Sequence, residues 1–317
     1  MTVEPPAVPA APEPELPRGV ALAWGVAANP QRGPKRELSI ERIVEAAVEI
    51  ADAEGLGAVS MARVAQSLGY TTMSLYRYVS AKDDLLTLMQ EIGTGLPPEP
   101  SPDLAAGDWR GRLRELSRAQ VEHYLAHPWL LDIPIEGTPV TPNNLAWMDA
   151  MLDALADVPV DEFERVAIML LFTGQMRWRG TIERAYADAA SAAGVDPQAI
   201  DDARDALLDT LVTAQEFPAV RRAIDAGVFR DETGDPLEFG FERLLDGVAG
   251  YVAERAAGAP RDIPAPADPV EAEAAGDKKV REAQKAVREA EKRLRDARKL
   301  ARDATREATR RIRDSRR

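Results

Sequence analysis

A chain of 317 residues, 45% of them hydrophobic, is long enough for about two domains with real cores. The absence of cysteine excludes a disulfide framework, a thiolate zinc site and a cysteine nucleophile, and two histidines, His123 and His127, are too few for a histidine-rich metal cage. The net charge of −13 hides a split, since residues 278–317 hold 17 Lys/Arg against 7 Asp/Glu, and binding of an anionic partner depends on where a few cations sit rather than on the total.

Residues 1–30 carry seven prolines and three acids, the composition of a disordered Pro/Ala-rich arm and not of a signal peptide. No apolar run approaches the ~18 residues of a membrane helix. A cytoplasmic chain with no membrane partner is expected.

Residues 31–93 read as a compact helical block. Ser39 caps a helix with the apolar face Ile43, Ala46, Ala47 and Ile50, ending at Gly55. Ser60 caps a short second helix carrying Met61, Val64, Ala65 and Leu68, and Gly69 stops it. A third short helix begins near Thr71 or Thr72. A fourth starts at Ser80, where Ser80-Ala-Lys-Asp83 reads as a capping box. Two short helices joined by a glycine turn, flanked by longer ones, make a helix-turn-helix. At 100° per residue, Leu75 and Val79 face the core, while Thr72, Met73, Tyr76 and Arg77 cluster outward. The amino end of this helix offers backbone N–H groups to a phosphate.

Residues 94–107 contain prolines at 97, 98, 100 and 102 and read as a linker. A second helical block spans 108–258. Thr141-Pro142, Asp196-Pro197 and Asp235-Pro236 each place a capping side chain before a proline at the first helical position, and Asp161 opens a further helix towards Tyr186. No alternating run supports a strand, so the fold is expected to be all-α. Gly240, Gly247 and Gly250 interrupt the last helix at ~1 kcal/mol each, which close approach of another helix would explain. That makes 161–190 and 235–257 the candidate dimer helices. Asp201 and Asp202 read as a solvated helix start, so no enzyme and no cofactor are expected.

A Pro-rich hinge at 259–269 precedes a charged helical tail, 270–317. Val280, Val287, Leu294, Ala301 and Ala308 repeat every seven residues, with Ala283, Ala290, Ala297 and Ala304 three behind. The pattern fits a weak alanine-rich coiled coil or a solvated single helix.

The run SMARVAQSLGYTTMSLYRYVSAKDDLL strongly resembles the DNA-binding domain of the tetracycline-repressor (TetR/AcrR) family, above all in Leu75-Tyr76-Arg77-Tyr78-Val79 and Lys82. Block 108–258 resembles that family's ligand-binding and dimerisation domain more distantly. The resemblance implies an antiparallel helical sensor domain behind the helix-turn-helix, in a homodimeric repressor of a palindromic double-stranded operator, released by a small-molecule effector. It implies that Thr72, Met73, Ser74 and Arg77 face bases and that Tyr76, Tyr78 and Lys82 contact phosphates. Arg36, Ser60, Arg63 and Thr71 complete the expected DNA-facing set. Three of them have a plainer alternative: Tyr78 as a core-edge aromatic, Met73 packed on a neighbour, Lys82 merely solvated. Arg32, Lys35 and Arg36 form either a minor-groove arm or a solvated one.

For the effector, His123, His127, Trp147, Met151, Phe172, Gln175 and Met176 are the chosen candidates, from a pool that includes Trp129, Met148, Met169 and Trp178. Each also serves as ordinary core. The histidine pair shares a helix face but lacks a third metal ligand. A different class of function also fits the sequence: a constitutive DNA-organising or scaffolding protein that grips DNA through its basic tail.

Overall fold

The computed structural model describes residues 16–26, 38–135, 137, 140–229, 234–261 and 277–314, and the regular elements among them are all helical. They fall into two units, Met1–Ala259 and Pro260–Arg317. The first unit holds α1 (Arg18–Ala23), α2 (Ile40–Glu54), α3 (Met61–Leu68), α4 (Thr72–Tyr76), α5 (Lys82–Thr94), α6 (Trp109–Ala126), α7 (Pro142–Asp153), α8 (Glu162–Ala193), α9 (Pro197–Leu211), α10 (Pro218–Asp225) and α11 (Pro236–Ala256). Short 3₁₀ turns at Leu56–Ala58 and Pro128–Asp132 follow α2 and α6.

Local chemistry explains the first helices. The Ser39 hydroxyl accepts from the Arg42 N–H, and Ile43, Ala47 and Ile50 bury the inner face of α2. The Ser60 hydroxyl accepts from the Arg63 N–H in the same way. Gly69 ends α3 at φ 76, a left-handed geometry that a side chain disfavours. The expected capping box at Ser80 does not form. Ala81 is the N-cap of α5 and offers no side-chain acceptor, so Ser80 stands one residue too early. Asp83 and Asp84 instead complement the dipole in the first turn.

The expectation of a disordered arm fails for residues 18–23. These form α1, whose Gly19 and Val20 are buried. A Cβ on Gly19 would lie 2.9 Å from Thr87 Cβ and 3.0 Å from Asp84 Cα, so glycine is what lets α1 sit on α5. The Trp24 indole then donates to the Val140 carbonyl at 2.8 Å, fastening the end of α1 to the loop before α7.

In the second block α6 packs along α8. Asp161 and Glu164 form a reciprocal capping box at the start of α8. Glu164 is buried, accepts from the Tyr251 hydroxyl and forms an ion pair with Arg255, which fixes α11 against α8. Asp196 and Asp235 cap α9 and α11 as their Asp-Pro pairs imply. Thr141 does not cap α7. Its hydroxyl accepts from the Asn144 side chain instead, at 2.8 Å.

The two blocks share one compact unit despite the Pro-rich stretch between them. Asn143 bonds Glu91 through its backbone N–H and its side-chain amide, joining α7 to α5. The Trp147 indole points at the Thr94 and Gly95 carbonyls, both 3.2 Å away. The second unit contains α12, Lys278–Asp314, whose first N–H groups are met by the Asp277 side chain.

Candidate DNA interface and internal cavity

The helix-turn-helix is assembled from buried pegs. Met61, Val64 and Ala65 hold α3 down, and Leu75 and Val79, both fully buried, hold α4. With those positions inward, Met73 and Tyr76 are pushed into solvent at 74% and 43% exposure, and Arg77 and Lys82 are exposed beside them. The Thr71 hydroxyl caps α4 through the Ser74 N–H and also bonds the Ser74 hydroxyl at 2.9 Å. Thr72 and Ser74 are half-buried. Tyr78 is half-buried against the core.

Besides Thr71 and Ser74, two more of the expected DNA-facing groups are already engaged. The Ser60 hydroxyl is occupied by its cap, and Arg63 pairs with Glu54 at 2.6 Å. Arg63 must leave that exposed pair to reach a phosphate, at small cost, since exposed pairs contribute about 0–1 kcal/mol. Arg36, with Arg32 and Lys35, lies outside the described residues.

A cavity of about 460 Å³ opens in the second block between α6, α8 and the start of α11. Val121, Met176 and Phe241 give it an apolar floor, and Ser117, Gln175 and Arg179 add polar groups. Ser117 is buried, and its hydroxyl meets no hydrogen-bond partner among the described residues. Arg179 braces one wall through Glu183 at 2.7 Å, with Asp235 and Glu238 both at 2.9 Å.

Of the expected effector residues, Gln175 and Met176 line this cavity. Phe172 lies behind it, fully buried and edge-on to Phe241. Met151 is core, and Trp178 is exposed. His123, His127 and Trp147 belong to the junction with the helix-turn-helix. His123 stacks edge-on to Trp147 and sits against Gly95, whose Cβ would meet the imidazole at 2.9 Å. Burial, with His127 nearby, pushes its pKa below the ordinary value. His127 meets Asp52 Oδ1 at 2.8 Å, and the Trp129 indole donates to the same oxygen at 2.6 Å. Among the described residues no three metal-ligating side chains converge, and no helix is long and apolar enough to cross a membrane.

Asp52, Ser117 and Arg179 escaped the sequence reading. The only sequence signal for the last was the arginine spacing of α8, which a solvated face also shows.

Residues 43–89 match the family model for bacterial regulatory proteins of the tetR family, and residues 101–252 match that for the tetracyclin repressor-like C-terminal domain. A curated relative, the HTH-type transcriptional repressor DrrR1 of Streptomyces coeruleorubidus, is 33% identical over 76% of this chain and 88% of its own length. Among solved structures, apo ActR from Streptomyces coelicolor superposes with a TM-score of 0.54 at 26% identity, over 72% of this chain and all of ActR. ActR in complex with actinorhodin gives 0.54 at 25%, over 70% of this chain and 97% of that one. With helix-turn-helix, C-terminal helical domain and relatives in agreement, the chain belongs to the tetR family of transcriptional regulators.

Proposed function

We propose that this regulator is a repressor that binds a palindromic operator as a homodimer, in the cytoplasm, and leaves it when a small molecule fills the cavity. The observation that carries this reading is the coexistence, in one compact unit, of an outward Met73–Tyr76–Arg77 face and a cavity of about 460 Å³ with an apolar floor of Val121, Met176 and Phe241. Residues 31–93 would form the reading head and 108–258 the sensor. ActR is solved in complex with actinorhodin, which supports a small molecule as the effector.

Exposed Leu170 and Trp178 on α8 and Phe239 on α11 support the dimer. Gly240, Gly247 and Gly250 face open space within the single chain, so its own packing gives no reason for them. A partner helix does, and two-fold symmetry matches a palindrome.

Selection from random duplex DNA tests the reading. The chain should enrich an inverted repeat, and actinorhodin is the first compound to titrate into the resulting complex. Enrichment of no sequence would overturn the assignment as an operator-specific repressor.

A further inference from the structure

Helices α6 and α11 are joined by a charge ladder in antiparallel register. Arg110, Arg114 and Arg118 stand four residues apart on α6, and Glu238, Glu242 and Asp246 stand four apart on α11. Four-residue spacing puts each triplet on one helix face. Arg110 bonds Asp246 at 2.6 Å, Arg114 grips Glu242 through two contacts at 2.5 and 2.7 Å, and Arg118 approaches Glu238 at 3.9 Å. The ladder therefore weakens towards the cavity, which Arg114, Arg118 and Glu238 help to line.

The far end of α6 is the junction. Within three residues of its end, His127 and Trp129 share Asp52 Oδ1 on α2 of the helix-turn-helix. One helix thus carries the ladder on its amino-terminal two-thirds and the contact to the reading head at its carboxyl end.

We propose that the α6–α11 ladder is the lock of the effector-free, operator-binding form, and that an effector releases DNA by parting α6 from α11 at the Arg114–Glu242 rung. This rests on the ligand-released reading above. A molecule filling the cavity lies between the two helices at the weak end of the ladder. It must displace the loose Arg118–Glu238 contact and the Arg179–Glu238 pair before bearing on the bidentate rung. Since α6 is continuous up to the junction, a shift at the rung moves the Asp52 contact and with it α2, on which α3 and α5 pack. A two-position element biased by contacts at both ends is what coupling between distant sites requires.

The test uses no effector. Operator affinity is measured for the full chain on a duplex selected by the wild type and on a scrambled duplex. Arg114→Glu and Glu242→Arg should each weaken binding to the selected duplex at least tenfold. Glu242→Gln, which keeps the shape and removes the charge, should weaken it severalfold, and binding to the scrambled duplex should not change. The exchanged pair Arg114→Glu/Glu242→Arg should return to within about threefold of wild type. Single variants that bind like wild type, or an exchanged pair no better than the singles, would overturn the lock while leaving the repressor reading intact. A wild type that selects no duplex would end both.

Discussion

Trp129 and Asp52 lie 77 positions apart, yet the buried indole Nε1 donates to the Asp52 carboxylate at 2.6 Å and so fastens the C-terminal helical block to α2, the first helix of the helix-turn-helix block. Asp52→Ala leaves that N–H without a partner, and a buried donor left unpaired costs ~1–3 kcal/mol. Asp52→Asn keeps an acceptor and should lose less than half as much. Urea unfolding at one fixed protomer concentration reads both variants, since the stability of the proposed dimer would depend on concentration. An alanine variant as stable as wild type would show that the bond contributes nothing net.

On the proposed reading Arg77 contacts a base. Arg77→Ala should weaken operator binding by ~1–3 kcal/mol and relax preference at a single base pair, as loss of a bidentate base contact does. Tyr76→Phe should weaken all sequences alike. Mobility-shift titrations on wild-type and point-substituted operators separate these patterns, and unchanged binding by both variants would take α4 out of the recognition role.

The helix-turn-helix was legible because its signals are local. Ser39 and Ser60 act within three residues, Gly69 answers to its own backbone, and Leu75 with Val79 follows from helical periodicity. The junction was not legible, because His123, His127 and Trp147 find their partners at Gly95, Asp52 and Thr94, on segments that nothing in local spacing connects to them. As apolar-face residues in a sensor block they read equally as cavity lining. Helix α1 was hidden by its Pro/Ala-rich surroundings. It is held by the fit of Gly19 on α5, a close approach that composition does not express.

That fit gives a prediction. Gly19→Val places branched carbon where the Thr87 Cβ and the Asp84 backbone already stand, so α1 should lift from α5. The rate of tryptic cleavage after Arg18 should rise at least tenfold in the variant, with the rest of the digestion pattern preserved. Equal rates would mean that α1 gains no protection from this contact.

His123 sets a pH dependence whose sign follows from its environment. Burial, then the neighbouring His127, lowers its pKa from 6.5, so the folded chain favours the neutral ring. Its contribution to stability is fully present above the unfolded value and is lost as pH falls through the folded one. Glu164 and Glu242 are held below 4.5, chiefly by the Tyr251 hydroxyl and by Arg114 respectively, and their losses come at lower pH. Between about pH 7 and about pH 5, His123→Gln should therefore flatten the fall in urea midpoint. A slope equal to that of wild type would assign the dependence to other groups.

The last prediction concerns α12, where salt separates two roles. Each phosphate neutralised by a cation adds about 0.9 to the slope of log affinity against log salt. If the cations of 278–317 grip DNA, deleting the tail should flatten that slope by several such steps and lower non-specific affinity, with preference among operators unchanged. The sequence argues for the other outcome. Acids recur every seven residues at Glu282, Glu289, Asp296 and Asp303, each with a lysine or arginine three positions on, so part of the cationic charge is balanced within the helix itself. Valine, leucine and alanine at the heptad positions give the helix a seam that needs no nucleic acid. The body ahead of it is strongly acidic and repels phosphate. Removal of residues 270–317 should accordingly leave the salt slope within one phosphate of wild type and change only hydrodynamic size or assembly, read by sedimentation. A slope flatter by two or more phosphates would make the tail a DNA-binding element.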